Sequence, residues 1–145
     1  CHAPETPSNY VIGRVYGLGG DSVEVTGQSV RVNGSRYDST DACTEPLVQV
    51  PHPDTKNPVE LQCARVNWGG GWHYRATATK YKKANDHKKD VETNRVYLLS
   101  DNRDMHDDSR DFGTLDKETC NQRIIFLLWG AGGWTDSDRR LEVVR

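Results

Sequence analysis

Residues 95–113 read Arg-Val-Tyr-Leu-Leu-Ser-Asp-Asn-Arg-Asp-Met-His-Asp-Asp-Ser-Arg-Asp-Phe-Gly. The opening run, Arg95–Leu99, is apolar, short and bounded by polar residues, which predicts a β-strand. The run leads into an acidic loop, Ser100–Gly113. A loop this rich in carboxylates raises the question of calcium. The EF-hand template asks for Asp or Asn at its third position and Gly at its sixth. Counted from Asp101, those positions hold Arg103 and His106. Arg103 and Arg110 would repel a cation and offer the carboxylates charged partners instead. The loop therefore reads as a network of Arg–Asp pairs with no metal.

Working outward from this loop, the chain keeps a β character. Upstream, Tyr10–Tyr16 is β-rich, and Gly17-Leu18-Gly19-Gly20-Asp21 is a turn whose glycines tolerate positive φ. Gly17-Leu18-Gly19 hints at a dinucleotide fingerprint, but Ser22 stands where its third glycine belongs and no helix follows. Instead Val23 and Val25, then Val30 and Val32, alternate with polar residues around Thr26-Gly27-Gln28, which predicts a hairpin. Asn33-Gly34 closes it with a second turn. Residues 1–9 form a Pro-rich lead-in. Downstream, Asp116–Cys120 suits one helical turn. Ile124–Trp129 is the most apolar run and is expected to be a buried strand, and Leu141–Val144 is expected to be the last strand.

Between hairpin and loop lies a stretch of different character, 36–93. Pro46, Pro51, Pro53 and Pro58 exclude long helices there. Val59–Val66 and Trp72–Thr79 read as strands around Gly69-Gly70-Gly71, and Lys80–Asn94 reads as a charged loop. The expected organisation is a β core of residues 1–35 and 94–145 carrying an insertion of residues 36–93. The class is all-β, mainly antiparallel.

Composition narrows the function. The 145 residues suit one domain, with 34% hydrophobic residues and a formal net charge of −2. Mean hydropathy is −0.80. No run approaches the roughly 20 apolar residues of a membrane-spanning helix. The expectation is a soluble piece, compatible with being the outer part of a longer, anchored protein. A slightly acidic chain argues against nucleic acid. Lys80, Lys82, Lys83, Lys88 and Lys89 are interrupted by Asp86 and Asp90, as on a solvated surface. Of the four cysteines, none forms a C-x-x-C pair and no His stands at zinc-finger spacing, so neither a structural zinc nor any cofactor is expected. Cys43 and Cys63 flank one polar segment and are the favoured disulfide, the alternative being two free thiols in a reducing compartment. Cys1 reads either as a lipidated first residue or as the point where a longer chain was cut.

The loop and the upstream turn together resemble one family. Val96–Asp104 followed by Asp108-Ser109-Arg110-Asp111-Phe112-Gly113 is similar to the G-D-N-R-x-x-S-x-D-S-R-x-x-G loop of the type I signal peptidases. Arg14-Val15-Tyr16-Gly17-Leu18-Gly19-Gly20-Asp21 resembles their K-R-V-x-G-L-P-G-D box. The hairpin, Val32-Asn33-Gly34 and the lead-in Pro4-Glu5-Thr6-Pro7 continue the match. The ending, Leu128-Trp129 with Trp134 and Arg140, resembles the family's tail, including its mitochondrial inner-membrane branch.

The resemblance implies a signal-peptidase-like β fold and a Ser/Lys dyad, in which a buried neutral lysine takes the proton of a serine that attacks the peptide carbonyl. It implies an extended substrate lying against the sheet. Scaffold positions match: Arg14 with Asp101, Asp108 with Arg110, then Ser109 and Gly113. Tyr10 and Ile12 fall beside the substrate cleft. The chemical positions do not match. Gly13 stands where the family has its lysine, His106 where a serine bonds that lysine, Ser100 for Gly and Gly19 for Pro. The nucleophilic serine belongs to a box upstream of the lead-in, which is expected to precede residue 1.

Glycine cannot accept a proton, so the expectation is a catalytically inactive homologue. It would be a structural or peptide-binding part of a membrane-associated complex. Its anchor would lie outside this chain, and its partners would be an extended peptide or protein subunits. Its place would be the extracytoplasmic face of a membrane: bacterial periplasm or cell surface, or mitochondrial intermembrane space. The alternative is an active serine endopeptidase with His106 as substitute base, since some eukaryotic relatives use a histidine in place of the lysine. A third reading is a binding module using Trp68, Trp72, Trp129 and Trp134, against which glycine-flanked tryptophans commonly serve as core or turn residues.

Overall fold

The computed structural model describes residues 1–27, 29–37, 41–52, 54–68, 71–78, 86–127 and 142–143. The hairpin is present as β2 (Ser22–Thr26) and β3 (Ser29–Val32), with Val23 opposite Val32 and Val25 opposite Val30. All four valines point to one side and are buried, as the period of two requires. Asn33 takes φ 51° and Gly34 φ 79°, the left-handed turn that leads into β4 (Ser35–Tyr37). β8 (His87–Asp90) pairs antiparallel with β2, giving a sheet of order β4-β3-β2-β8. Over His87–Asp90 this corrects the reading of Lys80–Asn94 as a loop. The strand sits at a sheet edge, where outward lysines such as Lys88 are tolerated and discourage further pairing.

β9 (Arg95–Leu99) is the centre of the second sheet, of order β1-β9-β10, with β1 (Arg14–Leu18) and β10 (Leu115–Asp116) on its flanks. A bulge between Val15 and Gly17 shifts the β1 register. β9 is buried on both faces, which explains its unbroken apolar run. Tyr97 and Leu99 join Tyr16, Val91 and the hairpin valines in one cluster. Val96 and Leu98 face the other way and meet Ala3, Val11 and Leu115. Each buried Val or Leu contributes about 1.5–3 kcal/mol relative to exposure.

The middle of the chain makes a third sheet of order β5-β6-β7: β5 (Asp41–Pro51), β6 (Pro58–Trp68) and β7 (Gly71–Ala78). Cys43 and Cys63 form a disulfide between its first two strands. So Asp41–Ala78 has a sheet of its own, whereas β8, which falls within 36–93, and β4, which straddles its start, belong to the hairpin sheet. The third sheet is fastened to the acidic loop by a parallel bridge between Ala76 and Asn102. Ala76 N donates to Asp101 O at 2.8 Å, and Arg103 N donates to Ala76 O at 2.7 Å.

At the chain's ends one open alternative is decided and one expectation is corrected. Cys1 is bonded to Cys120, so it is not a lipid-bearing residue here. Cys1–Ala3 turns back on Asn9–Val11, with Val11 N on Cys1 O and Ala3 N on Asn9 O, each at 2.9 Å. His2 N donates to Thr119 O at 3.0 Å, beside the 3-10 turn Lys117–Thr119 that takes the place of the expected helical turn. The buried strand expected over Ile124–Trp129 does not begin at Ile124. Ile124 and Ile125 are 54% and 63% exposed, and among the described residues of this run the strand is Phe126–Leu127 (β11), paired with Glu142–Val143 (β12). An apolar run without alternation does not specify which face is covered. Leu128, Trp129, Trp134, Arg140, Leu141 and Val144 lie outside the described residues, as do Lys80, Lys82 and Lys83.

Candidate functional site

The acidic loop is built around Asp108, whose side chain is fully buried. Its carboxylate accepts from Ser100 N at 2.8 Å, from Arg110 N and Nε at 3.0 Å each, and from Arg110 Nη2 at 2.7 Å. It also caps the short helix α1 (Ser109–Phe112), and Asp111 answers by accepting from Asp108 N, which completes a capping box. Burial pushes the Asp108 carboxyl up, but the Arg110 bonds and charge outweigh it and hold the group below the ordinary range. The Ser109 hydroxyl accepts from Leu98 N at 2.9 Å, tying the loop to β9.

Arg14 and Asp101 meet although 87 residues separate them, Nε to Oδ1 at 2.7 Å and Nη2 to Oδ2 at 3.1 Å. The fork-to-fork geometry joins β1 to the loop after β9. Burial again raises the Asp101 carboxyl, and bonds from His73 and Arg14 reverse it, leaving a net depression.

Tyr10 and Ile12 are exposed by 46% and 67%, while Val11 between them is buried. They form an outward apolar strip that ends at Gly13 and Arg14. Cys1–Ala3 fills one edge of that strip. A Cβ placed on Gly13 would lie 3.1 Å from Leu99 O and 3.2 Å from Leu99 C and N. A side chain at residue 13 would therefore need the Leu99 backbone to give by a few tenths of an ångström.

His106 comes not to Gly13 but to the capping box. Its Nδ1 lies 2.6 Å from Asp111 Oδ2 and 4.0 Å from Asp108 Oδ1. His106, Asp108 and Asp111 could offer metal ligands within 4.8 Å of one another. Asp108 is already held by the Arg110 guanidinium and Asp111 by the cap, so the donor set is committed to organic partners.

His73 was missed from sequence, and Arg103, expected among the Arg–Asp pairs of the loop, also bonds Tyr16 and Ser100 O. His73 on β7 is 3% exposed, and its Nε2 lies 2.8 Å from the Tyr16 hydroxyl. Its Nδ1 lies 3.3 Å from Asp101 Oδ1. Arg103, 2% exposed, donates Nη2 to the Tyr16 hydroxyl at 2.8 Å and Nη1 to Ser100 O at 2.7 Å. Burial raises the Tyr16 phenol. A sequence cue existed: His73, Arg75 and Thr77 alternate with Trp72, Tyr74 and Ala76, and it is the polar set that is buried. Trp72 is engaged with Tyr74 edge-on at 5.1 Å and lies under Arg65 at 5.5 Å.

The family model for signal peptidase, peptidase S26, matches residues 1–129. The match runs through the middle sheet as well as both boxes, and stops short of Trp134 and Arg140. No curated protein matches the chain.

Proposed function

We infer the function from one premise: this chain belongs to the signal peptidase family, peptidase S26. Within that family it is a homologue that holds an extended peptide without cutting it. It serves as a structural or peptide-binding component of a membrane-associated complex on the extracytoplasmic face of a membrane, in the bacterial periplasm, at the cell surface or in the mitochondrial intermembrane space. One observation carries this reading. By the resemblance Gly13 stands at the position of the general base, where Leu99 backbone leaves a Cβ a tight fit, while the Arg14–Asp101 and Asp108–Arg110 pairs are formed. General-base assistance accounts for about 10²–10⁴ in rate, and glycine supplies none. The exposed Tyr10 and Ile12 side chains favour a peptide laid along this strip on the edge opposite Cys1–Ala3, read through backbone hydrogen bonds.

The test uses the full-length protein and an extended peptide with small residues ahead of the scissile bond. Saturable binding with no cleavage is expected. Cleavage at a rate above the uncatalysed background would overturn the reading.

A second reading has one observation in its favour: His106 is oriented by Asp111 at 2.6 Å, the base-and-carboxylate arrangement of nucleophilic enzymes. With a serine upstream, His106 would then be the base of an active endopeptidase. Cleavage abolished by His106→Ala would support this reading over the first.

A further inference from the structure

We propose that His73 is the positioning residue of this site, an imidazole supplied by the middle sheet that fixes the Asp101 carboxylate and, through it, Arg14 at the head of the Tyr10–Ile12 strip. His73 belongs to neither of the two boxes that resemble the signal peptidases. It arrives because β7 is fastened to the loop on both sides of Asn102, by Ala76 N on Asp101 O and Arg103 N on Ala76 O. That docking turns the inward face of β7 toward Tyr16 and Asp101.

Proton accounting gives the imidazole one orientation. Nδ1 faces two acceptors, Tyr74 O at 2.9 Å and Asp101 Oδ1 at 3.3 Å. Neither holds a proton, so Nδ1 carries one. In the neutral form of the ring that is the single N–H, and Nε2 then accepts a hydrogen bond from the Tyr16 hydroxyl at 2.8 Å. The Tyr16 oxygen in turn accepts from Arg103 Nη2 at 2.8 Å. A directed chain results: Arg103 to Tyr16, Tyr16 to His73, and His73 to Asp101, which Arg14 grips from the other side. Oδ1 of Asp101 thus has donors from β1 and from β7, and its rotation would break one of them. The middle sheet is then a working part of the site. Its effect on peptide binding rests on the function proposed above; its effect on Asp101 does not.

The experiment has two arms on the full-length protein. The first is ¹⁵N NMR of the His73 ring, which reports the tautomer, with ¹³C NMR of the Asp101 carboxyl in wild type, His73→Asn, His73→Gln and His73→Phe. The Asn amide can reproduce the Nδ1 donor, whereas Gln reproduces the Nε2 side and Phe only fills space. The expected result is an Nδ1–H ring, an Asp101 titration kept in Asn, and one moved upward in Phe. An Nε2–H ring, or an Asp101 carboxyl indifferent to all three variants, overturns the proposal; the ring tautomer is read on wild type and needs no variant to fold. The second arm measures affinity for the small-residue peptide. Loss of about tenfold or more in Phe, with rescue in Asn, is expected from removing a hydrogen bond to a charged group. Equal affinity in Phe and wild type would mean that His73 merely fills space, and overturns the proposal. If wild type binds no peptide while Asp101 follows the variants as stated, the peptide-binding reading falls and the role of His73 is supported.

Discussion

Asp108 and Arg110 are two residues apart and grip each other through both carboxylate oxygens, Nε to Oδ1 at 3.0 Å and Nη2 to Oδ2 at 2.7 Å. Their side chains are 0% and 3% exposed. Removing one member of such a pair strands a charge out of water. Asp108→Ala is therefore expected to lower the unfolding free energy by about 3–5 kcal/mol, measured by urea denaturation. Arg14→Ala is expected to cost about 1 kcal/mol or less, because Arg14 and Asp101 are 28% and 45% exposed. Equal losses in the two variants would contradict this ranking.

Acid sensitivity follows from the same carboxylates. Asp21, Asp101 and Asp108 are all held below their ordinary range in the fold. A depressed folded value means that the unfolded chain binds the proton more tightly. The stabilisation is fully present above the unfolded value, about 3.9, and is lost as pH falls through the lower folded values. Unfolding free energy is expected to be insensitive to these groups from pH 7 to about 5 and to decline below about 4. A denaturant series across that window checks it, and Asp108→Asn is expected to flatten the decline.

The hairpin and β9 were legible in the sequence for a simple reason. Val23, Val25, Val30 and Val32 alternate, and Val96–Leu99 is an unbroken apolar run, so burial on one face or on two is written into the residues themselves. Arg14 and Asp101 are too far apart for any local rule, and only the resemblance to a family paired them. His73 escaped because a polar face on a strand ordinarily means solvent. Here His73 on that face finds the Tyr16 hydroxyl and the Asp101 carboxylate, both from other parts of the chain. Cys1–Cys120 escaped because Pro4, Pro7, Ser8 and Asn9 mark a turn but nothing local says that it lays Cys1 beside Cys120.

Two glycines are expected to resist substitution for different reasons. A Cβ on Gly17 would stand 2.6 Å from Val23 Cγ2 and 3.1 Å from Val91 Cγ2, inside the main apolar cluster. Gly17→Ala is expected to destabilise by about 1–3 kcal/mol through overpacking, visible as a lower urea midpoint at unchanged slope. At Gly13 the neighbour is Leu99 backbone. Gly13→Lys is accordingly expected to lower stability and to leave peptide uncut in the full-length protein. Restored cleavage would show that β9 yields enough to seat a lysine.

The two disulfides should differ in weight. Cys43–Cys63 spans 20 residues and Cys1–Cys120 spans 119. In the chain-entropy picture the shorter link contributes about 3 kcal/mol and the longer about 4–5. Cys120→Ser is therefore expected to lower the melting temperature further than Cys63→Ser, by calorimetry under oxidising conditions. The reverse order would locate the larger constraint in the middle sheet.

The link between Cys1 and Cys120 also governs how the molecule bears load. Tension applied at residue 1 and at any point after residue 120 passes straight across the sulfur bridge. The hairpin, both boxes and the middle sheet hang from it as a side loop that carries no force. With the bridge cut, the same pull would run through all 119 intervening steps and could draw out roughly 400 Å of chain. While oxidised, the fold is a mechanically shielded ring; once reduced, it becomes a spring in series with whatever pulls on it.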